Sequence, residues 1–205
     1  MKHCIRLPDE TYEFIKGEVA FILKKCNIRC IPVSGFEIAT KLKMKLRPYS
    51  ALDTIQKAAA MKISSDGFFI ESDEGEYIIF YNDDKSYARI NMTLLHEIGH
   101  CVLDHGVSAF GNTDIEEAEA KFFAKYIAAP PPLIDKINPT SVDDVADWFC
   151  LSWEASYIAF NYFKKWKSVR RHRDAKDYEL IIENLFVSNN NIRKRLTSYH
   201  ESLQT

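Results

Sequence analysis

His96 and His100 stand four residues apart, with Glu97 directly after the first, in the segment TLLHEIGHCVLDH at 93–105. On an α-helix that spacing stacks both imidazoles on one face. There they can take two corners of a tetrahedral zinc site. Glu97 falls about 100° around the helix from His96. That position lets its carboxylate reach a water held at the metal without ligating the ion itself. Gly99 removes side-chain bulk from one flank of the same turn. A His-Glu-x-x-His string is short enough to arise by chance, so a third ligand must turn it into a site.

A His-x-x-Gly-x-x-His continuation would need Gly at 103 and His at 106, whereas the chain has Leu103 and Gly106. His105 is off by one, and a surface or orienting role suits it better than ligation. Asp104 is read in the same way, as an orienting or solvated helix-end acid. The other solution is a carboxylate from the next helix, and DIEEAEAKFFAKYIAAP supplies three glutamates. At about 100° per residue, Glu117 shares its face with Lys121, Ala124 and Ala128 and is flanked by Ala120. Those alanines would let the two helices approach closely. Glu119 lies instead with Phe122 and Tyr126, and Glu116 with Phe123 and Ile127. Glu117 is the favoured third ligand, and Glu119 its nearest rival.

The elements that must hold these groups follow from periodicity and turn chemistry. A stripe of Tyr12, Ile15, Val19 and Ile22 predicts a helix after Pro8 that fades at Asn27. Ser34 is a plausible N-cap for a helix beginning at Gly35. A short strand is expected at 43–47 and a helix at 51–62. Aromatic and β-branched runs at 68–71 and 77–81, around Asp73-Glu74-Gly75, predict an antiparallel hairpin. The metal helix is expected from Ser86 to Leu103, closed near Gly106, with a loop at 107–113. A helix at 114–129 should be stopped by Pro130, Pro131 and Pro132. Helices at 142–149, 153–166 and 174–186 complete the reading. Asn138 to Ser141 offers the best boundary between a domain at 1–137 and a helical region at 138–205. The strand at 77–81 directly precedes the metal helix. Its expected free edge, at Tyr77, Ile78, Ile79 and Phe80, would pair with an extended substrate.

The bulk properties limit the classes. A 205-residue chain with 46% hydrophobic and 27% charged residues can build a globular core. A net charge of −2 gives no global field for nucleic acid or an anionic membrane. No apolar run reaches the roughly 20 residues of a membrane span. The start, MKHCIRLPDETYEF, lacks the apolar stretch of a secretory signal, so a cytoplasmic location is expected. Five scattered cysteines without a CxxC pair argue against a disulfide framework. Cys26 and Cys30 are read as plain thiols.

RINMTLLHEIGHCVLDH, followed by EEAEAKFFAKYIAAPPPLI, resembles the ImmA/IrrE family of metallopeptidases. SGFEIATKLKMKLR, GFFI and EYIIFYND are similar to that family's leading helix, strand and hairpin. The resemblance spans about residues 35–160 and is most specific over 89–130. It places the family's Arg and Thr on Arg89 and Thr93, its ligands on His96, His100 and Glu117, and its general base on Glu97. Lys121 stands where the family usually has Asn, and Ala128-Ala129 replaces a Leu-Met pair. The implied fold is α+β and mainly helical: a zincin-like core with a small antiparallel sheet before the metal helix, plus a C-terminal helical extension. The implied activity is a gluzincin-like zinc (Zn2+) peptidase of bacteria and their mobile elements. Its partner would be a protein substrate such as a helix-turn-helix repressor of a phage or conjugative element.

Two other readings stand beside this one. SVDDVADWFCLSWEASYIAF has the rhythm of a helix-turn-helix, which would make the chain a DNA-binding regulator. Its second helix, however, opens with Trp153, Ala155, Tyr157 and Ile158 where base-reading side chains should be polar. That load favours packing on the core or on a partner. KKWKSVRRHR, at 164–173, carries six Lys or Arg and reads first as a solvated helix end. A non-catalytic zinc module is the remaining alternative, although it would have no need of Glu97.

Overall fold

The computed structural model describes residues 5–106 and 113–186. Helix α1 (Asp9–Lys25) buries Ile15, Val19, Ala20, Ile22 and Leu23. Acids in its first turn and lysines in its last suit the helix dipole. Helix α2 (Gly35–Lys41) starts at Ser34, whose hydroxyl accepts from the Glu37 amide at 3.3 Å. Strand β1 (Lys45–Pro48) and helix α3 (Thr54–Ile63) follow, and Asp53 and Gln56 form a capping box on α3.

The predicted hairpin forms as β2 (Gly67–Glu71) and β3 (Tyr77–Tyr81), turning at Gly75, whose φ is +73°. The sheet is three-stranded in the order β1-β3-β2. It is mixed rather than antiparallel, because β1 joins β3 in parallel with Lys45 opposite Ile78 and Pro48 opposite Tyr81. This corrects one expectation. The strand at 77–81 has no free edge, since it lies between two partners. One face of the sheet sends Phe69, Ile79 and Tyr81 into the main core. The other carries Phe68 and Phe80, stacked at 5.2 Å, into a smaller cluster with Tyr49 and Ala60.

Helix α4 (Tyr87–Val102) buries Leu94, Leu95 and Ile98 as well as Asn91, Glu97, Gly99 and His100. Each fully buried leucine or isoleucine contributes about 1.5–3 kcal/mol. The helix ends at Val102 with Leu103 as its cap, within a residue of the expected end, and Asp104 turns the chain with φ +57°. The loop expected at 107–113 lies outside the described residues apart from Thr113. That residue caps helix α5 (Asp114–Ala128) in a box with Glu116. Pro130 does end α5, but Pro131 and Pro132 open helix α6 (Pro131–Ile137), because proline suits the first helical turn.

Helices α7 (Val142–Phe149), α8 (Trp153–Arg170) and α9 (Asp177–Leu185) complete the described chain. Cys150, with φ +53°, makes the turn between α7 and α8. Val145, Phe149, Phe163 and Ile182 join the same core as Ile15 and Leu95. Trp153 and Tyr157 stay 61% and 50% exposed and stack on each other, so they do not pack on that core. The basic segment is only partly solvated. Arg173 and Trp166 hydrogen-bond the fully buried Glu179, and Lys167 meets Asp135 at 2.6 Å. The described cysteines are all free thiols. Among the described residues, no helix is long and apolar enough to cross a membrane.

Candidate metal centre and its cleft

α4 and α5 pack along each other, and the small residues at their contact set how closely. A Cβ on Gly99 would lie 3.0 Å from the Phe123 ring. Ala120 and Ala124 face the same contact, 0% and 2% exposed. This close approach brings Glu117 to the two histidines. His96 Nε2 and His100 Nε2 are 3.1 Å apart. Glu117 places one oxygen 3.3 Å from His100 Nε2 and the other 3.6 Å from His96 Nε2. Zinc bonds of about 2.0–2.1 Å at a tetrahedral angle would set ligand atoms about 3.3 Å apart. The two distances from Glu117 run to different oxygens, but one atom from each of the three residues lies within 4.8 Å of the others, close enough for two imidazoles and one carboxylate to share a cation.

The protonation states suit the same role. Hydrogen bonds to His100 and then His96 hold the Glu117 carboxyl far below the ordinary carboxylate range, and Lys121 adds to them. Burial pushes the His100 imidazole down, outweighing Glu117, with the charges of His96 and His105 acting in the same direction as burial. The site therefore presents an anion and a neutral imidazole, the forms that ligate a cation.

His100 is oriented from behind. Its Nδ1 lies 3.0 Å from Nδ1 of His105, and His105 Nε2 lies 2.9 Å from Glu119 Oε2. With a cation at His100 Nε2, its Nδ1–H would donate to His105, whose Nε2–H would donate to Glu119. Glu119, the rival ligand of the sequence reading, thus does not join the cluster. It anchors the residue that anchors a ligand. The left-handed Asp104 turns His105 back toward His100, an arrangement that residue spacing on a continuous helix does not reveal.

A cleft of about 670 Å3 opens over the cluster, lined by Asp66, Gly67 and Phe68, by Thr93, His96 and Glu97, and by Glu117, Lys121 and Lys125. Glu97 is 4% exposed and lies close enough to Tyr49 to act on it. Burial, with Glu97 and Asp66 adding, raises the Tyr49 phenol to about 12, and its hydroxyl donates to the Ser64 carbonyl at 3.1 Å. Arg89 grips Asp66 with two bonds of 2.6 and 2.8 Å. Thr93 abuts Gly67, where a Cβ would come within 2.7 Å of both the Thr93 methyl and the Phe80 carbonyl oxygen. Arg89 and Thr93 therefore fasten α4 to the start of β2. Lys121 sits 3.2 Å from Glu117 on the cleft wall.

The cleft is lined by β2 and not by Tyr77, Ile78, Ile79 or Phe80. Ile79 is fully buried, and β1 and β2 occupy both edges of its strand, so the main-chain pairing expected there is withdrawn. The missed feature was β1 as a parallel partner. Its short run KMKLR signalled a strand but not which neighbour it would take.

Residues 52–163 match a peptidase family model described as the IrrE N-terminal-like domain, which is more than half of the chain. A comparison with curated proteins returned no match.

Proposed function

From the premise that the chain belongs to the IrrE N-terminal-like family of peptidases, we propose that it is a zinc-dependent endopeptidase. His96, His100 and Glu117 hold the metal, and Glu97 acts as general base. The observation that carries this reading is the cluster itself: the two imidazole Nε2 atoms lie 3.1 Å apart, and each has a Glu117 carboxylate oxygen within 3.6 Å. Zinc bound there would polarise a water and the scissile carbonyl.

The chain's own residues supply the rest. Glu97, one position past a ligand on the cleft side, takes the proton of the attacking water and delivers it to the leaving amine. Its burial keeps that carboxylate out of bulk solvent, where a fixed base is most effective. His105 and Glu119 hold His100 in one tautomer, so the ligand set does not reorganise during turnover. The substrate runs through the cleft between the start of β2 and the wall of α5. Lys121 and Lys125 line that wall and favour a segment carrying acidic side chains. The substrate class we propose is a folded regulatory protein, such as a helix-turn-helix repressor.

Glu97→Gln separates catalysis from metal binding. Zinc content should stay at one equivalent, and cleavage of a co-expressed candidate repressor should fall by at least a thousandfold, on the order of the loss of an essential base. If the variant cleaves at the wild-type rate, the assignment of the base is wrong. If both proteins bind zinc and neither cleaves any repressor, the non-catalytic zinc module becomes the better account.

A further inference from the structure

Lys121 sets a positive charge beside the carboxylate that would bind a cation. Its Nζ lies 3.2 Å from Glu117 Oε2, the oxygen that faces His96 Nε2 at 3.6 Å. Glu117 is the one carboxylate of the three-residue cluster. An ion bonded to that oxygen at about 2.0–2.2 Å would lie within about 5.4 Å of the ammonium. Like charges at that range repel, so the lysine lowers the cluster's affinity for metal. Helix stability does not account for it, since an exposed Glu–Lys pair four residues apart contributes little. A cation that opposes metal binding from the cleft wall points to a second, anionic partner.

The other strong donors near the cluster are committed elsewhere. Arg89 closes on Asp66 through two bonds, and the Thr93 hydroxyl donates to the Arg89 carbonyl at 3.0 Å. The Tyr49 hydroxyl donates to the Ser64 carbonyl, and His105 lies behind His100 against Glu119. Lys125 lines the cleft a full turn beyond Lys121. Among the described lysines and arginines of the cleft, Lys121 is the one in contact with the cluster. Its side chain is 57% exposed. An ammonium carries three donors, and Glu117 occupies one of them.

We propose that Lys121 is a further catalytic residue, whose ammonium holds the negatively charged oxygen formed from the scissile carbonyl; this rests on the peptidase reading. As the attacking water bonds to the carbonyl carbon, its proton passes to Glu97 and the carbonyl π pair moves onto the oxygen. Lys121 donates a hydrogen bond to that oxygen and keeps its own protons. When the pair returns, the C–N bond breaks and the amine leaves with the proton held by Glu97, and the other product is a carboxylic acid. A donor aimed at charge that is absent from the bound substrate lowers the barrier without tightening substrate binding. The metal affinity that Lys121 costs is thereby offset at the step where negative charge collects.

The test measures two affinities of the full chain that should change in opposite directions. Lys121→Met should bind zinc about five- to tenfold more tightly in competition with a chromophoric chelator, because a repelling charge is gone. Zinc-loaded Lys121→Met should bind N-phosphoryl-leucinamide, whose tetrahedral phosphoryl oxygens stand in for the charged oxygen, about tenfold or more weakly than wild type. That loss should persist at about 0.5 M NaCl, where screening removes the pull of a distant charge but not a direct contact. Lys121→Arg keeps the charge and a donor, and should bind the probe within about fivefold of wild type. A general structural defect would weaken both affinities together. The assignment is overturned by unchanged zinc affinity in Lys121→Met, by a probe affinity that the substitution leaves intact or alters at low salt alone, by an arginine variant as weak as the methionine one, or by zinc-loaded wild type that does not bind the probe. Wild type that takes up no zinc would remove the metal reading and this one together; zinc uptake with failure of the Lys121 comparisons would remove this one alone.

Discussion

Replacing His105 by phenylalanine tests whether the chain from His100 through His105 to Glu119 orients the metal site. The phenyl ring keeps the aromatic contact with His100, whose centroid lies 5.1 Å from that of His105. What disappears is the acceptor 3.0 Å from His100 Nδ1, at a side chain with no solvent exposure. A buried donor left without a partner costs about 1–3 kcal/mol. In the metal-free protein this lowers stability. In the metal-bound protein it also frees the imidazole to turn, and losing an outer partner of a ligand typically weakens metal binding about 10–100-fold. The assay is competition for zinc against a chromophoric chelator, run beside thermal unfolding of the metal-free form. Glu119→Gln retains an acceptor oxygen 2.9 Å from His105 and should cost less than His105→Phe. A zinc affinity within twofold of wild type for folded His105→Phe would falsify the orienting role. A larger loss for Glu119→Gln than for His105→Phe would show that the carboxylate acts by another route.

Two further outcomes follow from the surrounding structure. Asn91 is 2% exposed, accepts from the Gly35 amide at 2.7 Å and donates to the Val33 carbonyl at 3.0 Å. Asn91→Leu keeps the volume and strands two backbone groups, so denaturant titration should show a loss of about 2–4 kcal/mol; a loss under 0.5 kcal/mol would mean that water or another group replaces the amide. At Glu13, burial opposes ionisation but hydrogen bonds from Lys16 and Lys176 outweigh it, bringing the carboxyl down to about 2. A depressed carboxylate contributes its stability above its unfolded value and loses it as pH falls toward the folded one. Wild-type stability should therefore fall between about pH 4.5 and about pH 2, and Glu13→Gln should flatten that slope; identical slopes would separate this ion pair from acid unfolding.

The sequence made the chemistry more legible than the arrangement of strands. His96, His100 and Glu117 could be brought together by counting residues around two helices, because helical rotation is local and regular. Ser34 as a cap and the turn at Gly75 were equally local. Three features were not. The parallel pairing of β1 with β3 joins segments some thirty residues apart, and hydrophobic alternation does not choose a strand's neighbour. The reversal at Asp104 brings His105 behind His100 through one left-handed residue, which breaks the rotational count on which the helix argument relied. Pro131 and Pro132 read as a stop, yet the same restricted φ that ends one helix begins the next. Lys121 was visible as an unusual residue, but its pairing with Glu117 needed coordinates.

The central position of β3 has a mechanical consequence for the helix it leads into. Only the link Asn82–Asp83–Asp84–Lys85–Ser86 separates that strand from α4, and the Asn82 side chain is tied to the Ser65 carbonyl at 3.0 Å. Fraying begins where backbone is paired on one side alone, and β3 is flanked on both. The ligand-bearing helix is thus suspended from the part of the sheet that opens last. Amide hydrogens of Ile78 to Tyr81 and of Leu94 to Ile98 should exchange together and slowly, as one cooperative block, while those of α3 and the hairpin tip exchange ahead of them.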